Sequence, residues 1–182
     1  RYMEKMGGSL VFPMPDEINK VGGIANIATL PAWSMQAAQK MVDAGFMDLD
    51  AGRMFKSGNV TRSECAAYLV HAFGIAPDMK KSVFSDIVPA NPYIPEINAA
   101  VSFGIITGYS ATTFGPGDPV TREQMAVMVM RGLKKILGSR LSIPAAAKTF
   151  SDSGKFSSWS ITAIREISSL GIMNGYSDGR FG

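Results

Sequence analysis

The chain has 182 residues, of which 46% are hydrophobic and 18% are charged, and its formal net charge is +3. This composition is sufficient for a buried core and excludes a disordered chain, while the lack of a Lys/Arg run argues against a nucleic acid as partner. The single cysteine, Cys65, and the single histidine, His71, exclude an internal disulfide and a cysteine- or histidine-rich metal site.

No stretch of the sequence predicts a membrane span. Glycine, proline or charged residues interrupt every apolar run before it reaches about 18 residues. The N-terminal residues lack a cationic start followed by an apolar core, which predicts that a secretory signal is absent or already removed. Composition alone therefore leaves the compartment open.

The first predicted elements lie in residues 1–23. Residues 1–9 parallel residues 131–139, which end a predicted helix further along the chain, so they predict a helix remnant. Residues 10–23 contain two prolines and two glycines and are predicted to be a connector.

Two kinds of helix alternate after residue 23. The first kind has apolar residues three or four positions apart and ends at a glycine, namely Gly45, Gly104 or Gly171. The second kind follows a Thr-Arg pair and carries one narrow apolar stripe, so the helices are expected to share a core. The apolar positions are Met35, Ala38 and Met41, Ile97, Ala100 and Val101, and Ile161, Ile164 and Ile167 in the first kind, and Cys65, Tyr68, Leu69, Ala72 and Phe73, and Met125, Met128, Val129, Gly132 and Leu133 in the second.

Short motifs recur in register with a period of about 60 residues, which indicates a repeat protein. Phe84-Ser85-Asp86 recurs as Phe150-Ser151-Asp152, and the segment from Gly104 to Tyr109 recurs from Gly171 to Tyr176. The pattern predicts an all-α fold of helix-loop-helix repeats. The predicted repeats are residues 24–80, residues 81–140 and residues 148–182.

The motif that opens each second helix is explained by helix capping except for its arginine. Thr61-Arg62-Ser63-Glu64 and Thr121-Arg122-Glu123-Gln124 each fit a capping box. The arginine is unfavourable for its own helix, because a cation in the first turn opposes the helix dipole. The residues alone support two roles equally, binding of an anionic ligand and a surface ion pair with a loop carboxylate.

The sequence contains no convincing catalytic group. Cys65 falls on the apolar stripe of its helix and is predicted to be a buried apolar residue rather than a nucleophile, and His71 lies off that face. No nucleophile–base pair, phosphate loop or metal cluster is found, so we expect no catalysis, metal or cofactor.

Taken together, the Phe-Ser-Asp opening, the Gly-Ile-Ile-Thr-Gly-Tyr loop, the Phe-Gly-Pro-Gly-Asp-Pro segment and the Val-Thr-Arg-Glu motif resemble the S-layer-homology (SLH) family. Residues 84–133 resemble a complete repeat, residues 150–182 the first half of another, and residues 24–73 a divergent one. The resemblance implies a pseudo-threefold bundle located outside the bacterial cell, in the cell wall or S-layer. It implies a non-catalytic anchor whose grooves between repeats bind a secondary cell-wall polysaccharide with an acidic, pyruvate-ketal sugar.

The resemblance also implies which residues line the grooves. The motif arginine would contact the acidic sugar, while an opening aspartate, an aromatic residue near the first helix and a Gly-Tyr loop would frame it. These roles map to Arg62 and Arg122, to Asp86 and Asp152, to Trp33, Tyr93 and Trp159, and to Gly108, Tyr109, Gly175 and Tyr176. The best candidate groove is then the one with Arg122 and the residues near Asp86 or Asp152.

The outer repeats depart from the family pattern. In the first repeat Asn26 replaces an aspartate and Leu49 a loop glycine, which predicts an altered or silent groove. The third repeat stops before its Thr-Arg helix, and residues 1–9 are predicted either to end an upstream repeat or to help complete the bundle beside residues 150–182. A second function stays open, in which the repeats mediate self-assembly with other surface-layer subunits and bind no glycan directly.

Overall fold

The computed structural model describes residues 4–6, 9–11, 59–145 and 148–182, together with residues 35, 36, 39, 40 and 43. The chain divides into two compact units, residues 1–58 and residues 59–182. Each unit is described by itself.

The first unit contains a short antiparallel hairpin of strands β1 (Glu4–Met6) and β2 (Ser9–Val11), in which Met6 lies opposite Ser9. The helix remnant predicted for residues 1–9 is therefore wrong. Between the strands the sequence has Gly7 and Gly8, a pair that disfavours a helix by about 1 kcal/mol per residue and is typical of two-residue hairpin loops. Residues 35, 36, 39, 40 and 43 are helical, as predicted, whereas Trp33 and Gly45 lie outside the described residues.

The second unit contains four α-helices in its described residues: α1 (Arg62–Ala72), α2 (Ile94–Ser102), α3 (Arg122–Leu137) and α4 (Ile161–Ser169). Two single 3-10 turns cover Gly138–Arg140 and Ser153–Lys155. Helix α1 packs against α2, and α3 packs against α4. The all-α prediction is confirmed, and each second helix packs against the first helix of the repeat that follows.

The predicted capping boxes and glycine stops are present at the ends of these helices. Thr61 and Thr121 each accept a hydrogen bond from the third backbone amide, while Glu64 and Gln124 reach back to the cap residue's own amide. Gly104 and Gly171 follow α2 and α4 in the left-handed region, with φ of 80° and 71°. The capping boxes and these two glycine stops are confirmed.

The core lies where the helices of successive repeats meet. Cys65 is fully buried on α1, and its sulfur lies 3.7 Å from the sulfur of Met128 on α3. Burial raises the pKa of this thiol to about 12 although the nearby charge of Arg62 lowers it, so Cys65 is an apolar core residue. Close by, Gly132 is required because a methyl group there would overlap the ring of Phe73. The buried residues of this cluster are Cys65, Ala66, Leu69, Val70, Phe84, Ile87, Ile97, Ala99, Ala100, Ile105, Ile106, Phe114 and Met128.

Candidate ligand-binding groove

Arg62 stands at the start of α1 and binds the loop of the next repeat. Its Nε donates to the carbonyl of Phe114 at 2.9 Å, and its Nη2 donates to the carbonyl of Thr107 at 2.8 Å. The guanidinium carbon lies 4.4 Å from the ring centre of Tyr109 and 5.0 Å from that of Phe114. With only 3% of the residue exposed, Arg62 is a buried link between two repeats.

Arg122 repeats this arrangement at the start of α3. Its Nε donates to the carbonyl of Phe181 at 2.7 Å and its Nη2 to that of Asn174 at 2.7 Å. Its guanidinium lies over Tyr176 and Phe181, at 4.9 and 5.0 Å from the ring centres. Within the described residues, neither arginine forms the surface ion pair that was one of the two open interpretations, and both bind backbone carbonyls of the following loop.

Asp86 and Asp152 accept hydrogen bonds from backbone amides of the same two loops. Asp86 accepts hydrogen bonds from the amides of Phe114 and Gly115, the shorter at 2.7 Å, and Asp152 accepts from the amides of Phe181 and Gly182 at 3.0 and 3.2 Å. Both carboxylates therefore cap a loop within their own repeat.

These hydrogen bonds lower the pKa of both carboxyl groups. At Asp86 desolvation is the largest single influence and raises the pKa. The hydrogen bonds from the amides of Gly115 and Phe114 and the charge of Arg62 lower the pKa, and together they outweigh desolvation. At Asp152 the amide of Phe181 has the largest effect. A carboxyl group whose pKa is lowered by folding stabilises the fold above its ordinary pKa, and this stabilisation disappears as the pH falls through the lowered pKa.

We therefore expect the double variant Asp86→Asn/Asp152→Asn to be less stable than the wild type at pH 7 and equally stable in acid. The measurement is thermal unfolding of both proteins from pH 7 down to pH 2. Asp118→Asn is the matched control, because its exposed side chain makes no hydrogen bond with the described residues. Parallel stability profiles for the double variant and the wild type would contradict the assignment.

A pocket of about 180 Å³ lies between α1, α3, the loop after α2 and the segment before α4. Arg62 comes from α1, Tyr109 from the loop after α2, and Trp159 from the segment before α4. Trp159 is 56% exposed, and Glu123 fixes the segment around it, since its Oε2 accepts from the Ser157 amide and the Ser160 hydroxyl. We call this pocket the α3 groove, and its lining is Arg62, Thr107, Gly108, Tyr109, Gln124, Val127, Met128, Arg131 and Trp159.

The structure brings four predicted site residues together in the α3 groove, which contains Arg62 and not Arg122. They are Arg62, Gly108, Tyr109 and Trp159. The sequence did not single out Arg131 or the wall that Gln124, Val127 and Met128 form with it. Their spacing along α3 was the available signal, because residues at i, i+3, i+4 and i+7 share one helix face.

The remaining predicted site residues lie elsewhere. Tyr93 is half-buried against the core, and Trp33 is outside the described residues. Gly175 and Tyr176 line a separate, open pocket of about 490 Å³ beside Lys148.

The two loop glycines have a packing role. A Cβ at Gly108 would lie 2.5 Å from the ring of Phe84, and one at Gly175 would lie 2.7 Å from the ring of Phe150. The interior of each loop therefore already explains its glycine, without an approaching ligand.

Among the described residues, no group of three or more His, Cys, Asp and Glu side chains could hold a metal ion. Within the same ranges, every helix is too short or too polar to cross a membrane.

Comparison with known families identifies the repeats. The sequence pattern of the S-layer homology domain matches residues 83–126 and residues 149–182. Both segments are S-layer homology domains. The repeat predicted for residues 24–80 is outside these matches and stays a prediction.

Curated relatives share the SLH segment with this chain. An endoglucanase of Bacillus sp. (strain KSM-635) is 33% identical over 123 residues, which cover 68% of this chain and 13% of that protein. Cell surface glycoprotein 1 of Acetivibrio thermocellus is 30% identical over 130 residues, covering 68% of this chain and 6% of that protein. The surface-layer 125 kDa protein of Lysinibacillus sphaericus is 25% identical over 161 residues, covering 88% of this chain and 12% of that protein. The chain thus spans 13% or less of the length of these relatives.

Membership in the SLH family gives the chain its general role. SLH domains are non-catalytic modules that anchor proteins at the bacterial cell surface, in the cell wall or S-layer. The expected location of the chain and its expected class of function are confirmed at this level.

Proposed function

We propose that residues 59–182 anchor a longer protein to the cell wall by binding an acidic polysaccharide, with a pyruvate-ketal sugar in the α3 groove. The observation that carries the proposal is the convergence of side chains from α1, α3, the loop after α2 and the segment before α4 on one pocket whose lining includes two arginines and no carboxylate. A pocket with this charge favours an anionic ligand.

The lining also suits a sugar ring. The exposed side chains of Trp159 and Tyr109 offer aromatic surface to the C–H groups of a pyranose, while Gln124 and Thr107 add polar residues to the lining. The charge of Arg62 lies below this surface, fixed by its two carbonyl bonds. The groove is therefore built before a ligand arrives, which reduces the entropic cost of binding.

A self-assembly role without glycan binding is the alternative function. In that case purified residues 59–182 would associate with copies of the surface-layer protein and would not bind wall polysaccharide. Binding of isolated wall polysaccharide by the monomeric protein separates the two functions.

We expect Trp159→Ala to weaken the binding of pyruvylated wall polysaccharide about 5- to 10-fold, because it removes an aromatic contact worth about 1 to 1.5 kcal/mol. Isothermal titration calorimetry gives the Kd for wild type and variant. The side chain is more than half exposed, so the fold should be unaffected.

Ile172→Ala is the matched control, since it removes an exposed apolar side chain outside the α3 groove. We expect this control to bind like the wild type. Equal affinities for Trp159→Ala and the wild type would contradict the proposed site.

A further inference from the structure

The wall of the α3 groove contains an exposed arginine, Arg131. Its guanidinium makes no hydrogen bond or ion pair with the described residues. Two of the three guanidinium nitrogens of Arg62, in contrast, already bind carbonyl groups. The two arginines of the groove thus differ in what they can offer to a ligand.

The repeat provides an internal comparison, because α1 has a face equivalent to the groove wall of α3. Where α3 has Gln124, Met128 and Arg131, the matched positions of α1 are Glu64, Tyr68 and His71. The charge on this face is therefore different: α1 presents a carboxylate and a histidine, whereas α3 presents an amide and an arginine.

The facing helices differ in the same sense. On α2, Glu96 lies 3.6 Å from His71 through its Oε1, and its Oε2 is buried with no hydrogen-bond partner in the described structure. Counted back from the equivalent helix stops Gly104 and Gly171, the position of Glu96 on α2 corresponds to Ala163 on α4. The α1 face is thus opposed by the carboxylate of Glu96, whereas the matched position on α4 is an alanine and the α4 carboxylate beside α3, Glu166, is paired with Lys134.

Tyr68 supports this view of the α1 face. Burial, followed by the charges of Glu64 and Tyr93, raises the pKa of Tyr68 to about 12. A site with two carboxylates and a buried phenol disfavours an approaching anion, because like charges repel.

We propose that the anion-selective site of residues 59–182 is the α3 groove, that Arg131 binds the carboxylate of the ligand's acidic sugar there, and that the equivalent face of α1 binds no anion. This inference rests on the proposed function, for which it names the charged contact. The planar guanidinium of Arg131 suits a two-pronged bond to a carboxylate. Arg62 then serves mainly to hold the loop that forms the floor of the groove.

The test is the binding of wall polysaccharide with and without its pyruvyl group to Arg131→Gln, measured by calorimetry at fixed salt concentration. We expect about a tenfold weaker Kd for the pyruvylated polymer, as for the loss of one charge-assisted hydrogen bond at a solvent-accessible site. The affinity for the polymer without pyruvyl groups should not change. Arg131→Lys should retain part of the preference because it keeps the charge.

Arg165→Gln is the matched control. Arg165 is an exposed arginine on α4 whose side chain makes no hydrogen bond or ion pair with the described residues and lies outside the groove lining. The variant removes the same charge and should bind both polymers like the wild type.

Two results would overturn the inference. Arg131→Gln could bind the pyruvylated polymer as well as the wild type does, or it could lose the same affinity for both polymers. In either case the wild type still binds, so the proposed function survives. If the wild type binds neither polymer, the proposed function itself is wrong and this inference is wrong with it.

Discussion

Arg62→Ala is expected to lower the free energy of unfolding of residues 59–182 by about 3 kcal/mol. The substitution removes two hydrogen bonds and leaves the buried carbonyl of Phe114 and the partly buried carbonyl of Thr107 without their donor. It also removes the cation that lies over the rings of Tyr109 and Phe114. Urea unfolding followed by circular dichroism measures the loss.

Two matched substitutions provide comparisons for the stability cost of Arg62→Ala. Arg122→Ala removes the same contacts from a more exposed residue, so its cost should be smaller. Arg165→Ala removes an exposed arginine and should be close to neutral. A cost for Arg62→Ala no larger than that of Arg165→Ala would show that Arg62 does not link the repeats. Because Arg62 affects stability, changes at this residue cannot by themselves test glycan binding.

Phe114→Ala should cost about 3 to 5 kcal/mol, the range for removing a fully buried phenylalanine side chain. The ring of Phe114 is 0% exposed, and its centre lies 5.3 Å from that of Phe84. Its backbone is held at both ends, since its amide donates to Asp86 and its carbonyl accepts from Arg62. The cavity would therefore open where the loop of the second repeat meets α1.

The same unfolding experiment, combined with amide hydrogen exchange, measures this effect. We expect exchange to accelerate first in residues 107–118, the loop that Phe114 anchors. Phe156→Ala is the control, because its ring is only half-buried and its removal should cost less. Equal costs for the two substitutions would contradict the role of Phe114 as the anchor of the loop.

Local signals in the sequence predicted the helices well. The Thr-Arg motifs and the glycine stops are determined by residues within one helical turn, so the pattern alone located them. The period of the motifs likewise predicted the repeats that the SLH family match confirms at residues 83–126 and 149–182. These features depend on short stretches of chain, which a single sequence displays.

Long-range partners could not be predicted in the same way. The carbonyls that accept from Arg62 lie 45 and 52 residues along the chain, at Thr107 and Phe114. Backbone carbonyls are present at every residue, so no side-chain pattern marks the two that are used. The sequence therefore predicted that each arginine has a use but could not distinguish a ligand from a link between repeats.

The groove was predicted in part for a related reason. Tyr109 and Trp159 were identified by the resemblance to a family, but Arg131 was overlooked because it falls outside the recurring motifs. Only the packing of α3 beside the loop of its own repeat and the third repeat shows that its polar face lines a pocket. The hairpin at the N-terminus was missed because the parallel with residues 131–139 outweighed the Gly7-Gly8 pair.

The packing of each second helix against the following repeat has a consequence for how this anchor can be moved to other proteins. The helices that pack together do not belong to one sequence repeat. Helix α1 packs on α2 of the following repeat, and Arg62 at its start binds the loop that ends near Asp118. A segment cut at the sequence repeat, residues 81–140, would separate Phe114 from the arginine that binds it. A transferable piece that keeps the α3 groove instead begins at a Thr-Arg helix and includes the next two Phe-Gly loops, as residues 59–182 do.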